Sequence, residues 1–221
     1  MNTKETINII SITDDTHKGD NANALGIARE LKELLEKEGI NITLHETTQD
    51  QAQSCLKDSD HNIVIAAGEH HIQALHDLSS EDQNIHKIWS GHQAPESLFV
   101  SNINIAVIPD HVLGQEERKL LQQKLMQLIE TVGVAHNTTK ENLKEEYEKW
   151  KEKIPDADQY EVVVLGGDAP DQNGHMHYYT PEEARKLAKY VYDNHSKGSV
   201  ILATNGPRTG KHNPETGEVV C

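Results

Sequence analysis

Aromatic side chains are scarce in this chain: phenylalanine occurs once, and Phe, Trp and Tyr together make up 4% of 221 residues. A core with so few rings must rest on Ile, Val, Leu and Ala. Cysteine is nearly absent, with only Cys55 and Cys221. That excludes a disulfide framework and points to a reducing, cytoplasmic compartment. Positive charge is in deficit, 21 Lys+Arg against 36 Asp+Glu, for a net charge of −15. The chain therefore has no basic footprint for nucleic acid and no lysine- or arginine-rich cluster for an anionic lipid surface. No run approaches the roughly eighteen apolar residues of a membrane span, and residues 1–7 contain no signal-peptide core. No zinc signature, Ser-His-Asp order or Cys-His pair stands out, so neither a metal nor a cofactor is expected.

What the sequence does contain is a regular alternation of strand and helix patterns. Ile7 to Ile12 is a mostly apolar strand, and the polar loop from Thr13 to Asn21 leads into a helix from Ala22 to Lys37. Leu25, Ala28, Leu31 and Leu35 form that helix's apolar stripe, and Gly39 ends it. Strands are predicted at Ile40–His45, Asn62–Ala67, His86–Trp89 and Ile103–Ile108, with helices near 49–57 and 70–78. This βαβα order favours a parallel, doubly wound sheet. Two successive amphipathic helices follow. Glu116 to Val132 carries a stripe of Leu121, Leu125, Leu128 and Val132. Glu141 to Ile154 carries Leu143, Tyr147, Trp150 and Ile154, expected to be core or domain-packing surface. The expected organisation is a Rossmann-like domain over 1–135, a helical linker over 136–158, and the beginning of a second Rossmann-like domain over 159–221.

The C-terminal part is the most informative. The apolar run Val162 to Leu165 stops at Gly166-Gly167-Asp168, and Thr180-Pro181-Glu182-Glu183 opens a capped helix. A second apolar run, Val200 to Ala203, breaks into a loop carrying Arg208 and Thr209. Glycines allow a ligand close to the backbone, helix starts favour anions, and arginine suits bidentate phosphate recognition. Gly166, Gly167, Arg208 and Thr209 thus form a candidate site for a diphosphate or other acidic group. In the first domain, Asp14 and Asp15 sit at a strand end, where they bind a sugar hydroxyl, act as a base, or are merely solvated carboxylates. Lys18-Gly19 is a candidate anion cradle, although one Gly and one Lys do not make a P-loop. Gly68 is either a turn glycine or a phosphate contact. His70 and His71 are expected to face different ways on a helix, which argues against a shared metal. His175 and His177, near Asp168 and Asp171, read as polar loop residues.

An ordered set of these elements resembles the mitochondrial-fission "elongated mitochondria" family and its bacterial relatives. The loop Asp14 to Asn21 with the run Leu25-Gly26-Ile27-Ala28 is similar to the family's opening, and Ile65-Ala66-Ala67-Gly68 to its strand-end glycine. Ile108-Pro109-Asp110-His111 resembles its Pro-x-His-Asp turn, with Val112 in place of the final Asp. Gly166-Gly167, Tyr179-Thr180-Pro181-Glu182-Glu183-Ala184, and Thr204 with Pro207-Arg208-Thr209 resemble its last three elements, with Gly206-Pro207 replacing a Ser and an Arg.

The resemblance implies a glycosyltransferase-B-like architecture of two Rossmann-like domains facing a cleft. For bacterial members it implies action on nucleotide-sugars, and for plant members recruitment of a dynamin-type protein at the mitochondrial surface. Family chains are longer, and Glu218-Val219-Val220-Cys221 is an apolar ending, so the chain is expected to be truncated. Its last strands would then be covered by another segment or, in a homo-oligomer, by a second copy. Two functions follow: an enzyme of the glycosyl-transfer type acting on a nucleotide-sugar or other phosphorylated small molecule, with Asp14 or Asp15 orienting or deprotonating the acceptor, or a noncatalytic scaffold that recruits a protein partner.

Overall fold

A computed structural model describes residues 6–56, 61–78, 84–124, 127–170, 175–205, 209–213 and 215–218. The chain divides into two compact units, Met1–Leu143 and Lys144–Cys221.

The first unit alternates strand and helix: β1 Thr6–Ile12, α1 Lys18–Lys37, β2 Asn41–Thr47, α2 Gln49–Cys55, β3 His61–Ala67, a 3-10 turn Glu69–His71, α3 Ile72–Asp77, β4 Asn84–Ser90, α4 Glu96–Val100, β5 Ile105–Pro109, a second 3-10 turn Asp110–Val112, α5 Gln115–Gln123 and β6 Gln127–Thr131. All six strands join one parallel sheet in the order β2-β1-β3-β4-β5-β6. Side chains alternate across this sheet because the strand period is two. Ile9, Ile65, Ala67, Ile88 and Val107 meet Ala24 and Ala28 of α1 on one face. Ile10, Ile12, Val64, Ala66, Trp89, Ala106 and Ile108 pack on the other, against Ala52, Leu75, Leu98 and Leu121 of α2 to α5. Helices on both faces explain why the strand interiors are apolar on both sides. This is the Rossmann-like α/β class expected from the sequence.

Gly26 on α1 shows how closely the chain is packed. A Cβ there would stand 2.5 Å from the carbonyl carbon of His136 and 3.0 Å from the Asn137 nitrogen. The segment after β6 lies directly against the helix, and only a residue without a side chain leaves room for it.

One expected helix is two elements. Glu116 to Val132 reads as a single stripe, but α5 ends at Gln123 and β6 follows. Leu121 is fully buried against the sheet, whereas Val132 is 95% exposed. The i, i+3, i+4 spacing continued across the break by coincidence, and a short apolar run cannot be told from a helical segment by period alone. Of the two places expected for the next helix's stripe, core or domain-packing surface, the core does not hold. In α6 (Lys140–Trp150) the stripe residues Leu143, Tyr147 and Trp150 are 58, 61 and 52% exposed, so they are not enclosed in a core.

The second unit holds β7 Tyr160–Leu165, the two-residue strands β8 Ala169–Pro170 and β9 Met176–His177, α7 Pro181–Asn194 and β10 Val200–Asn205. β7 and β10 pair in parallel, Val162 opposite Leu202 and Leu165 opposite Asn205. Thr180 starts α7 with a capping box: its hydroxyl accepts from Glu183 N (3.2 Å) and its own N–H donates to Glu183 Oε2 (2.8 Å). Val163, Leu165, Ile201 and Ala203 line a hollow with Ala184, Leu187 and Val191 of α7. On the opposite face Val162 and Val164 are 62 and 76% exposed, while Tyr160 and Leu202 line a hollow with Tyr147 and Ile154.

Candidate functional site

The strand order places one edge of the first sheet apart. From β1 the chain moves outward to β2, then crosses back to β3 on the other side. The carboxyl ends of β1 and β3 are therefore the topological switch point, where open α/β sheets leave a crevice for ligands. The loop after β1 carries Asp14 and His17. The turn after β3 carries Gly68, His70 and His71.

Asp14 is the centre of this cluster. Its Oδ1 accepts from the backbone N–H groups of Thr16 and His17, both at 2.6 Å, and from Thr16 Oγ1 at 2.9 Å. Its Oδ2 lies 2.9 Å from His17 Nδ1, 3.1 Å from His70 Nε2 and 3.4 Å from His71 Nε2. Burial opposes ionisation of this carboxyl, but the donors of His17 and Thr16 outweigh it and hold Asp14 well below the usual carboxylate range. The Asp14 backbone is fixed as well: its N–H donates to Asn21 Oδ1 at 3.0 Å and its carbonyl accepts from Asn21 Nδ2. Asp15 beside it is exposed.

The two histidines do not diverge. A 3-10 turn, tighter than an α-helix, holds the His70 and His71 rings 4.1 Å apart, and His17 stacks on His70 at 3.7 Å. His71 is buried and its Nδ1 sits 2.8 Å from the Ala67 carbonyl. A carbonyl only accepts, so Nδ1 carries the proton. Burial, and then the neighbouring His71 and His17, push the His70 pKa down against the opposing charges of Asp20 and Asp14. Asp14 Oδ2, His70 and His71 each offer one metal-ligating atom, all within 4.8 Å of one another.

Gly68 positions this turn. Its φ is +84°, and an added Cβ would stand 2.7 Å from His70 Cε1 and closer still to Asp20 Oδ2. Gly68 is thus needed by the backbone itself, and its N–H and carbonyl are tied to Ser90 O (3.0 Å) and Trp89 Nε1 (2.8 Å). Lys18 and Gly19 lie in the first turn of α1 and are exposed.

In the second unit, Gly166 and Gly167 are exposed at the end of β7, and a Cβ on Gly166 would meet nothing within 4 Å. Thr209 Oγ1 donates to Gly166 O at 2.9 Å, so the two strand-end loops lie side by side. Arg208 falls outside the described residues, as does Asp171. Asp168 holds the neighbouring loops together: its buried carboxylate accepts from Tyr179 N (2.7 Å), His212 N (3.0 Å) and His212 Nδ1 (2.8 Å). The Tyr179 N–H, followed by the His212 donors, lowers its pKa to about 2 despite burial. An open cavity of about 600 Å³ beside it is lined by Tyr179, Pro181, Ala184, Gly210, His212 and Asn213.

The spatial group of Asp14, His17, His70 and His71 was not recognisable as such from the sequence. Its signal lay in two loops that share a switch point, each histidine-bearing and each following a strand.

The fold and this site define a doubly wound α/β protein whose polar loops meet at the switch point of a parallel sheet. The family profile described as mitochondrial fission ELM1 matches residues 18–216. The chain belongs to the mitochondrial fission ELM1 family. No curated protein and no solved structure matches it. The matched span begins at Lys18, so Asp14 and His17 stand just ahead of it. No described helix is long and apolar enough to cross a membrane.

Proposed function

We propose that the chain is an enzyme of the glycosyl-transfer type that acts on a nucleotide-sugar. One observation carries this reading: Asp14 and three histidines from two separate loops converge at the switch point of the sheet. The Thr16 and His17 N–H bonds are those of an Asx turn; the approach of His70 and His71 from the second loop is not required by that turn. Family membership, with the glycosyltransferase-B-like architecture that the family resemblance implies, supports this choice of reaction class. In this reading Asp14 orients the acceptor hydroxyl rather than deprotonating it, because a carboxylate held so firmly ionised is a weak base near neutral pH. Asp15 is the exposed neighbour that contacts the sugar. Lys18 and Gly19 at the start of α1 are the candidate phosphate contacts of the first unit, where Gly68 shapes the turn after β3, and Gly166, Gly167, Arg208 and Thr209 are those of the second. Chemistry of this kind is positioning plus stabilisation of the departing diphosphate.

The test is a thermal titration of the full chain with uridine- and guanosine-diphosphate sugars. Ligand at a hundred times its Kd stabilises the native state by about 2.7 kcal/mol, and Asp14→Asn should abolish turnover while binding persists. A melting temperature unmoved by either class of nucleotide-sugar removes the enzyme reading. The noncatalytic scaffold then stands in its place. Its supporting observation is the exposed apolar strand face of Val162 and Val164, a surface of the kind that protein partners cover.

A further inference from the structure

We infer that Asp14, His70 and His71 form a binding site for a divalent transition-metal ion, zinc by its donor set. The decisive geometry is that of His71. Its Nδ1 proton is committed to the Ala67 carbonyl at 2.8 Å, so Nε2, 3.4 Å from Asp14 Oδ2, is the nitrogen left to take a second proton or to ligate a metal. A lone pair facing a carboxylate oxygen is repulsive, so either a proton or a metal cation lies between them. His70 Nε2 meets the same oxygen at 3.1 Å, and one carboxylate oxygen cannot serve several imidazoles well as hydrogen-bond acceptor. A single dication satisfies all three at once.

The distances fit. Zinc holds nitrogen and oxygen ligands at roughly 2.0–2.2 Å, so tetrahedral ligands stand roughly 3.3–3.5 Å from each other. The two spacings to Asp14 Oδ2 are near that edge, and the three ligand atoms lie within 4.8 Å of one another. The outer shell has the form expected of a metal site: a backbone carbonyl on the remote nitrogen of His71 fixes its tautomer, and the His17 ring stacked on His70 at 3.7 Å holds the second imidazole. Two imidazoles and one carboxylate leave at least one position open, as in catalytic rather than structural zinc sites. Two nitrogens and one oxygen also suit iron(II) or nickel(II), so the site is defined by its donors and zinc is the ion tested.

The inference rests on this cluster alone and not on the nucleotide-sugar reading, so either can fail without the other. The full-length chain is stripped with a chelator and titrated with cobalt(II), whose visible absorption reports tetrahedral nitrogen–oxygen coordination, then with zinc(II) in competition. One equivalent of cobalt should bind, zinc should displace it, and zinc should raise the melting temperature. His70→Gln, at an exposed position, and Asp14→Asn should each weaken zinc binding by about a hundredfold or more, since even outer-shell partners of a ligand are worth about ten- to a hundredfold. His111→Gln, an exposed histidine elsewhere, should leave both stoichiometry and affinity unchanged. Absence of stoichiometric binding by the stripped wild type overturns the site. So does one-equivalent binding that survives both His70→Gln and Asp14→Asn.

Discussion

The Trp89 indole donates a hydrogen bond of 2.8 Å from Nε1 to the carbonyl of Gly68. Trp89 is 1% exposed, so this bond is made inside the core, and it fastens the turn that carries His70 and His71 to the neighbouring strand. Replacing it with Phe keeps an aromatic ring and removes the donor. The Gly68 carbonyl then keeps only the 3.4 Å bond from the His71 N–H, and Trp89→Phe should cost about 1 kcal/mol in a urea titration. A loss below about 0.5 kcal/mol would show that the turn does not depend on the bond.

Gly68→Ala combines two penalties at one position. The φ of +84° is strained for any side chain, and the Cβ meets the Asp20 carboxylate and the His70 ring. Strain of this kind costs about 1–3 kcal/mol. The variant should be destabilised by at least that much, and the histidine ring resonances of His70 should move in the NMR spectrum. A stable variant with unmoved resonances would mean that the turn has another conformation.

Gly26→Ala sets two effects of opposite sign against each other. Alanine is the better helix former by about 1 kcal/mol, but its methyl would press into the backbone of His136 and Asn137. Overpacking typically costs about 1–3 kcal/mol, so the clash should win and the midpoint of urea unfolding should fall. A rise in the midpoint would show that the segment after β6 can yield.

Much of this architecture was legible because its signals are local. The apolar runs at β1, β3 and β7, the glycine at the end of α1, and the Thr180 capping box each sit within a few residues of what they specify. The α5–β6 break was not legible, because Leu121 and Leu128 keep helical spacing across it and only pairing with β5 shows that Leu128 is in a strand. The clustering of Asp14 with His70 and His71 was hidden for a related reason. Residues 56 apart meet through strand order, and the 3-10 turn that gathers the two histidine rings has no residue signature of its own. Gly68, by contrast, was readable as a strand-end glycine, although only the contacts explain why an alanine would fail there.

Asp168 sets the acid sensitivity of the second unit. Its pKa is lowered from 3.8 to about 2 by the Tyr179 and His212 donors, so the ionised form favours the folded state. That contribution is fully present above about pH 4 and is lost as the pH falls toward about 2. Asp168→Asn should therefore be less stable than wild type at about pH 6, and the gap should narrow steadily in urea titrations at about pH 4 and pH 2. A gap independent of pH would show that Asp168 is not the group that titrates.

The order in which the strands lie also bears on how the chain is made. Synthesis delivers β1 first, yet β1 belongs in the interior of its sheet, between β2 and β3. The nascent strand must wait for a partner on each side, and both arrive by residue 67. All six strands of the first sheet are complete by Thr131, while β10 ends at Asn205. At roughly 5–20 residues per second, a ribosome needs about 4–15 s to cover the stretch between them. For about 2–8 s of that time β7 has emerged while β10, its parallel neighbour among the described residues, is still being made. In that interval the backbone edge of β7 that β10 will pair with is open, beside the apolar side chains of Val162 and Val164.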